Sequence, residues 1–183
     1  MSPPVVHPLL AGRWSAKEYD PSRSVTADQL TRLLEAARWA PSSGNSQPWR
    51  FVVAGRHEPV FARLLATLSP SNRAWAQHAA ALILVAAETL DQQGRRRRFA
   101  AYDVGRAVAQ LTVQAQAEGL GVCQMGGFDA SAAATEFSLD PGLEPLVVLA
   151  VGPAAVTQIP ARLRKPLEDL LLPTPREDNL LSA

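Results

Sequence analysis

The sequence predicts one domain in which helices and short strands alternate, and three observations carry that expectation. Apolar residues recur at helical spacing in three stretches, strand-length apolar runs fall between them, and clusters of Pro, Gly, Ser and Asn mark the boundaries. At 183 residues the chain can bury a real core and still form a single domain, 1–183. Helices separating strands would usually favour a parallel sheet. Spacing alone leaves the direction of the strands open.

The first helix spans about Ala27 to Ala40. Thr26 can cap it, Gln29 can close a capping box, and Leu30, Leu33, Leu34 and Ala37 share one face. Pro41 stops it, having no N–H to donate and disfavouring helical geometry at Ala40. The stretch PSSGNSQPW is turn chemistry, and Arg50 to Ala54 follows as a strand. Pro59 to Leu68 reads as a helix with Val60, Phe61, Leu64, Leu65 and Leu68 inward, and SPSN as a loop. Ala81 to Ala87 is a continuous apolar run of strand length. A long helix from Phe99 to Glu118 aligns Val104, Val108, Leu111 and Ala115, and Gly119 and Gly121 would supply positive φ at its end. Val122 to Met125 is a strand, Ser131 to Phe137 a helix opened by Asp129, and Leu146 to Val151 a strand. From Pro153 the chain turns Pro-rich and alternates apolar with charged residues, as an extended arm would.

Composition narrows the function. With 47% hydrophobic and 19% charged residues and a net charge of +1, neither disorder nor an overall pull toward nucleic acid or anionic membrane is expected. The longest apolar run is far shorter than the roughly 20 residues of a membrane helix. Met1 to Leu10 lacks the form of a secretory signal, and Cys123 is the only cysteine, so a cytoplasmic protein is expected. His7, His57 and His78 are scattered, and no metal site is expected. Neither a Rossmann glycine motif nor a Walker A lysine is present.

Two segments carry chemistry. In Arg13-Trp-Ser-Ala-Lys17, a guanidinium, a hydroxyl and an ammonium alternate, so on an extended chain they project to one side as a grip for a phosphate or an electron-rich ring. A solvated polar lead-in to a helix is the competing explanation. In Pro41-Ser-Ser-Gly-Asn-Ser-Gln-Pro-Trp49, two prolines stiffen a loop that holds Ser42, Ser43, Asn45 and Gln47 ready. A bland surface loop rarely needs such stiffening.

RWSAKEYD followed by LLEAARWAPSSGNSQPWRFVV resembles the N-terminal signature of the nitroreductase family of flavoenzymes. Asn72 and Trp75 ahead of an apolar strand, YDVGRAVAQLTVQAQAEGLGVCQMGGFD, and ARLRKPLEDLL extend the likeness over nearly the whole chain. The resemblance implies an α+β, nitroreductase-like fold: a central, mixed but mostly antiparallel sheet flanked by helices. It also implies a homodimer whose C-terminal arm, about 153–183, embraces the partner, with the long helix near the dimer interface. The implied cofactor is FMN, with NADH or NADPH as donor.

By position, Arg13, Ser15 and Lys17 match residues that hold the FMN phosphate and pyrimidine edge. Lys17 would stabilise the negative charge of the reduced ring, the one electrostatic catalytic role assigned. Pro41, Ser42, Ser43, Asn45 and Gln47 match a stretch presented to the flavin by the other subunit. Asn72 matches an asparagine near the pyrimidine. Met125, Gly126 and Gly127 match the turn whose backbone nears N5, where glycine permits close approach. Arg162 and Arg164 match basic residues that close over the phosphate. The implied reaction is ping-pong transfer from NAD(P)H to a small organic acceptor such as a nitroaromatic or quinone. The alternatives are a dehydrogenase, a dehalogenase, a flavin-consuming enzyme, or a non-catalytic flavin-binding protein.

The chain departs from the family pattern in three places. Lys17 stands where arginine is common, Gln124-Met-Gly-Gly127 lacks the carboxylate of a Pro-x-Glu-Gly turn, and 88–101 is short where larger members carry helices roofing the pocket. Arg95 to Arg98 reads first as a solvated charge run, with NADPH docking as the next alternative. Cys123 reads as a small core hydrophobe, Asp103 and Arg106 as an ion pair, and the four tryptophans as packing.

Overall fold

The computed structural model describes residues 6–156 and 162–172. The first half of the fold comprises α1 (Pro8–Ala11), α2 (Ala27–Arg38), β1 (Trp49–Gly55), α3 (Pro59–Ala66), α4 (Pro70–Ala76) and β2 (Ala81–Glu88). The second comprises α5 (Ala100–Ala117), β3 (Gly121–Met125), α6 (Ala130–Glu136) and β4 (Leu143–Gly152).

The sheet order is β1-β2-β4-β3, and every pairing is antiparallel. The parallel component of the expected mixed sheet is absent among the described strands. Its absence has a topological cause. β2 and β3 run the same way and are joined by α5, but β4 inserts between them and takes the inner hydrogen bonds of both.

Two helical layers sandwich this sheet. On one face α2 and α5 pack Leu33, Ala37, Val104, Val108 and Leu111 against Ile83, Val85, Val122, Leu149 and Val151. On the other, Phe61, Leu64, Ala76 and Ala133 from α3, α4 and α6 pack against Leu82, Leu84, Cys123, Met125, Val148 and Ala150. Strand periodicity sends successive side chains to opposite faces, so β2, covered on both, is apolar up to its last residue, Glu88. That is why Ala81 to Ala87 is an unbroken hydrophobic run.

The capping box of α2 is complete: Thr26 Oγ1 accepts from Gln29 N at 3.1 Å, and Gln29 Oε1 from Thr26 N at 3.0 Å. The stretch Ser69–Asn72, expected as a loop, instead opens α4. Pro70 occupies a first-turn position, where its missing N–H is not needed. Gly119 ends α5 with φ 69° as expected, whereas Gly121 has no positive φ. Gly121 is needed for proximity: a Cβ there would lie 2.7 Å from that of Ala16. Among the described residues no helix is long and apolar enough to cross a membrane.

Candidate functional site

The segment ahead of α2 pairs with the stretch after β4, where Ala155 N donates to Glu18 O and Asp20 N to Pro153 O, and meets Gly121 at the start of β3; its side chains alternate as an extended chain requires. Ala16 is fully buried and Trp14 packs on the same core, while Arg13 is half-buried and Ser15 and Lys17 are exposed. Tyr19 fixes the far end, donating to Ala150 O at 2.8 Å and stacking on Trp75 with ring centroids 6.3 Å apart. Burial first, then the neighbouring Cys123, push the Tyr19 hydroxyl far above its ordinary value, so it stays a neutral donor. Burial also pushes the Cys123 thiol up, and the nearby Lys17 ammonium draws it part of the way back. Neither Arg13 nor Lys17 has a carboxylate partner among the described residues.

α4 joins this segment to the turn after β3. Trp75 meets Tyr19, and one helical turn earlier Asn72 Nδ2 donates to Gly127 O at 3.0 Å. Ser69 N donates to the same carbonyl at 2.9 Å. A Cβ on Gly127 would sit 2.8 Å from Asn72 Nδ2 and 3.1 Å from Ser69 Oγ, so a larger residue there would push the Asn72 amide off the Gly127 carbonyl. Gly126 faces open space, with nothing within 4 Å of its Cβ position. The Met125 side chain is buried in the core, leaving only backbone for a ligand at this turn. Arg162, on the described part of the arm, donates to Ala11 O, two residues before Arg13. Arg164 donates instead to its own neighbour, Leu163 O, at 3.0 Å.

The proline-bracketed loop lies on the other face. Gly44, Asn45 and Gln47 have φ of 58°, 54° and 45°, left-handed values unusual for side chains other than glycine, with right-handed Ser46 between them. Hydrogen bonds hold it: Gln47 N donates to Ser42 Oγ at 2.9 Å, and Gln47 Nε2 to Asn45 Oδ1 at 3.1 Å. The anchor is Asp103 on α5, 2% exposed, whose Oδ2 accepts from Ser43 N at 2.9 Å. The expected pair with Arg106 is present at 3.6 Å on the other oxygen. Sequence reasoning missed the anchoring role. Its signal was there, since 100, 103, 104, 107, 108 and 111 trace the buried stripe of α5, and a carboxylate in such a stripe must find a partner.

One copy thus links Asn72 to the Met125–Gly127 turn, Arg162 to the backbone just before Arg13, and the Arg13–Lys17 segment, through Ala16, to Gly121 at the start of β3. It does not bring Pro41 to Gln47 to them, because that loop is tied to α5 across the sheet. The 88–101 region is a tight turn: Asp91 accepts from Gln93 N, Arg95 N and Arg95 Nε, and Gly94 has φ 74°. No group of three or more metal-ligating side chains lies together among the described residues.

The segments so placed follow the order of a known family, whose model, that of the nitroreductases, matches residues 10–153. The chain belongs to the nitroreductase family. A nitroreductase relative is the oxygen-insensitive NAD(P)H nitroreductase of Salmonella typhimurium, 29% identical, with 87% of this chain and 94% of that protein aligned. Among solved structures, a crystal structure described as an oxidoreductase containing FMN is 28% identical with a TM-score of 0.80, covering 85% of this chain and 80% of that one. A Desulfovibrio desulfuricans protein solved in complex with FMN is 29% identical with a TM-score of 0.77, covering 94% of this chain and 99% of that one. The nitroreductase fold is therefore shared by proteins that carry flavin.

Proposed function

We propose that this protein is an FMN-dependent oxidoreductase that takes electrons from NADH or NADPH and passes them, by a ping-pong route, to a small organic acceptor such as a nitroaromatic or quinone. The observation that carries the reading is the strip Arg13–Ser15–Lys17. Its two cations have no carboxylate partner among the described residues, and the segment that carries them packs Ala16 on Gly121 at the start of β3, the strand that leads into the turn at Gly126, where the backbone faces open space. An anionic, planar, hydrogen-bonding group fits that donor set, and the residues present suit FMN.

FMN, when bound, supplies the hydride-accepting and electron-donating chemistry. This chain's residues bind and polarise. The Arg13 guanidinium and Ser15 hydroxyl offer donors to a phosphate, and Arg162 approaches from the arm to the same end, with Arg164 beside it in sequence. Asn72, fixed by Gly127 O, keeps its amide oxygen for a ring edge. Lys17 places positive charge where negative charge would accumulate, and the protein need supply no acid–base triad.

The site would be completed by a second copy. Because Pro41, Ser42, Ser43, Asn45 and Gln47 lie at the start of α5, whose far end meets Gly12 just before Arg13, a homodimer packing α5 antiparallel on its copy would carry them toward the partner's strip. Trp39 and Tyr102 stand 75% and 65% exposed on the α2/α5 face, beneath Arg38 and Arg106 at 5.8 and 5.4 Å. Aromatic–arginine patches of this kind anchor interfaces. The arm, with Leu163, Leu167, Leu170, Leu171 and Leu172 exposed, would wrap that partner. The rest of the arm, 157–161 and 173–183, lies outside the described residues. A single domain working in the cytoplasm completes the proposal.

Purified protein should be yellow, dimeric by light scattering, and bleached anaerobically by NADH or NADPH. A colourless protein that cannot be reconstituted with FMN overturns the reading. Lys17→Ala should slow flavin reduction about a hundredfold while retaining most bound FMN, measured by stopped-flow absorbance. Unchanged reduction would remove Lys17 from its role.

A further inference from the structure

The Arg95–Arg98 run is not uniformly solvated. Arg95 is engaged by Asp91 at 2.7 Å, and Arg97 by Glu88 at 3.4 Å and Leu90 O at 3.3 Å. Arg96 and Arg98 have no carboxylate partner among the described residues, and the Arg98 guanidinium lies over the Phe99 ring at 5.3 Å. With Arg97, these two line a cavity of about 170 Å³ that also takes in Ser43 and Ser46 of the left-handed loop.

Two carboxylates share the wall, Asp91 and Asp103, and both are already engaged. Asp91 is held well below the usual carboxylate range by the Arg95 and Gln93 amides and the Arg95 side chain, and Asp103 serves Ser43 N and Arg106. What remains for a ligand is guanidinium charge and hydroxyls, the donor set for a phosphate monoester. The volume falls below the roughly 300 Å³ at which pockets enclose a whole drug-sized ligand, so the cavity suits a terminal group. The first turn of α5, capped by no side chain at Phe99, adds a smaller favourable field.

We propose that this cavity binds the 2′-phosphate of NADPH and makes the protein select NADPH over NADH. The proposal rests on the NAD(P)H-oxidoreductase reading above. Asp103 ties Ser43 to α5, so the phosphate site and the loop Pro41–Gln47 form one rigid piece. On the shared-site reading, the copy that presents that loop to a flavin also anchors the coenzyme reducing it. Arg96 and Arg98 are not among the residues matched to the flavin, so substituting them alters coenzyme choice without removing a flavin contact.

The test uses the full-length, FMN-loaded dimer. Calorimetric titration with 2′,5′-ADP, 5′-ADP and inorganic phosphate needs no turnover. 2′,5′-ADP should bind at least about tenfold more tightly than either of the others, with an affinity that weakens as salt rises. In the double variant Arg96→Ala/Arg98→Ala that preference should vanish. The KM for NADPH should rise about tenfold or more while that for NADH moves less than about twofold. Arg96→Lys/Arg98→Lys, keeping charge without the fork, should restore part of the preference, and flavin content with melting temperature verifies folding. Equal binding of 2′,5′-ADP and 5′-ADP overturns the proposal, as does binding of inorganic phosphate as tight as 2′,5′-ADP, or an equal loss for both coenzymes. A protein that binds 2′,5′-ADP selectively but takes no FMN would retain the cavity assignment and defeat the oxidoreductase reading.

Discussion

On one face of the sheet Arg13, Ser15 and Lys17 ride on a segment anchored by packing: Ala16 against Gly121, Tyr19 against Trp75. On the other face Ser42 to Gln47 is shaped by hydrogen bonds and suspended from one buried carboxylate, Asp103. The first arrangement has one buried side-chain anchor, the Tyr19 hydroxyl on Ala150 O, and alternation does the rest by burying one side and exposing the other. The second has little apolar surface to bury, so its geometry must be specified by donors and acceptors, including left-handed backbone at Asn45 and Gln47. Packing tolerates polar change and punishes volume. A hydrogen-bonded loop does the reverse.

Substitutions at three positions separate these modes, and a fourth position serves as a surface reference. Gly121→Val should be the most damaging, costing about 3 kcal/mol by overpacking and releasing bound flavin, because the added methyls must displace Ala16 and with it the whole Arg13–Lys17 strip. Urea melts and flavin absorbance check both effects, and a wild-type melt would show that Ala16 is not seated as described. Asp103→Ala should cost about 2 kcal/mol, leaving Ser43 N without its acceptor. Asp103→Asn, which keeps an oxygen for that amide, should recover part of it, and equal losses in the two would deny the anchoring role.

Gln47→Gly is expected to leave stability level or raise it by about 1 kcal/mol, since glycine accepts φ of 45° without strain, yet turnover should fall. A drop in stability would mean that the side-chain bond to Asn45 matters more than the backbone. The smallest effect belongs to Arg32–Glu118, the 2.9 Å ion pair that links α2 to the end of α5. Arg32, then Gln114, hold the Glu118 carboxyl below the usual glutamate range. A lowered carboxyl contributes above that range and loses its contribution as pH falls through the lowered value. Glu118→Gln should therefore be slightly less stable than wild type at neutral pH and match it in strong acid, a difference read from urea midpoints. The gap should also shrink with salt, because the arginine side chain is 53% exposed.

Much of this was written locally. The capping box at Thr26, the stripe of α5, the doubly buried β2 and the alternation through Arg13–Lys17 follow from spacing, since periods of two and 3.6 residues need no knowledge of distant partners. The prolines around Ser42–Gln47 likewise announced a stiff loop. Tertiary structure decided what spacing cannot carry. The insertion of β4 between β2 and β3 is a choice among long-range pairings. Gly121 is a glycine because Ala16, more than a hundred residues earlier, lies on it, and not for the turn it adjoins. Pro70, a turn signal in isolation, begins α4 and thereby sets Asn72 on Gly127. Asp103 became an anchor only when Ser43 arrived beside it. By itself the sequence determined which residues face a core and which stand ready for a ligand. Tertiary structure alone set the strip and the loop on opposite faces of the sheet, because only the order of the strands and the docking of α5 determine which side each one reaches.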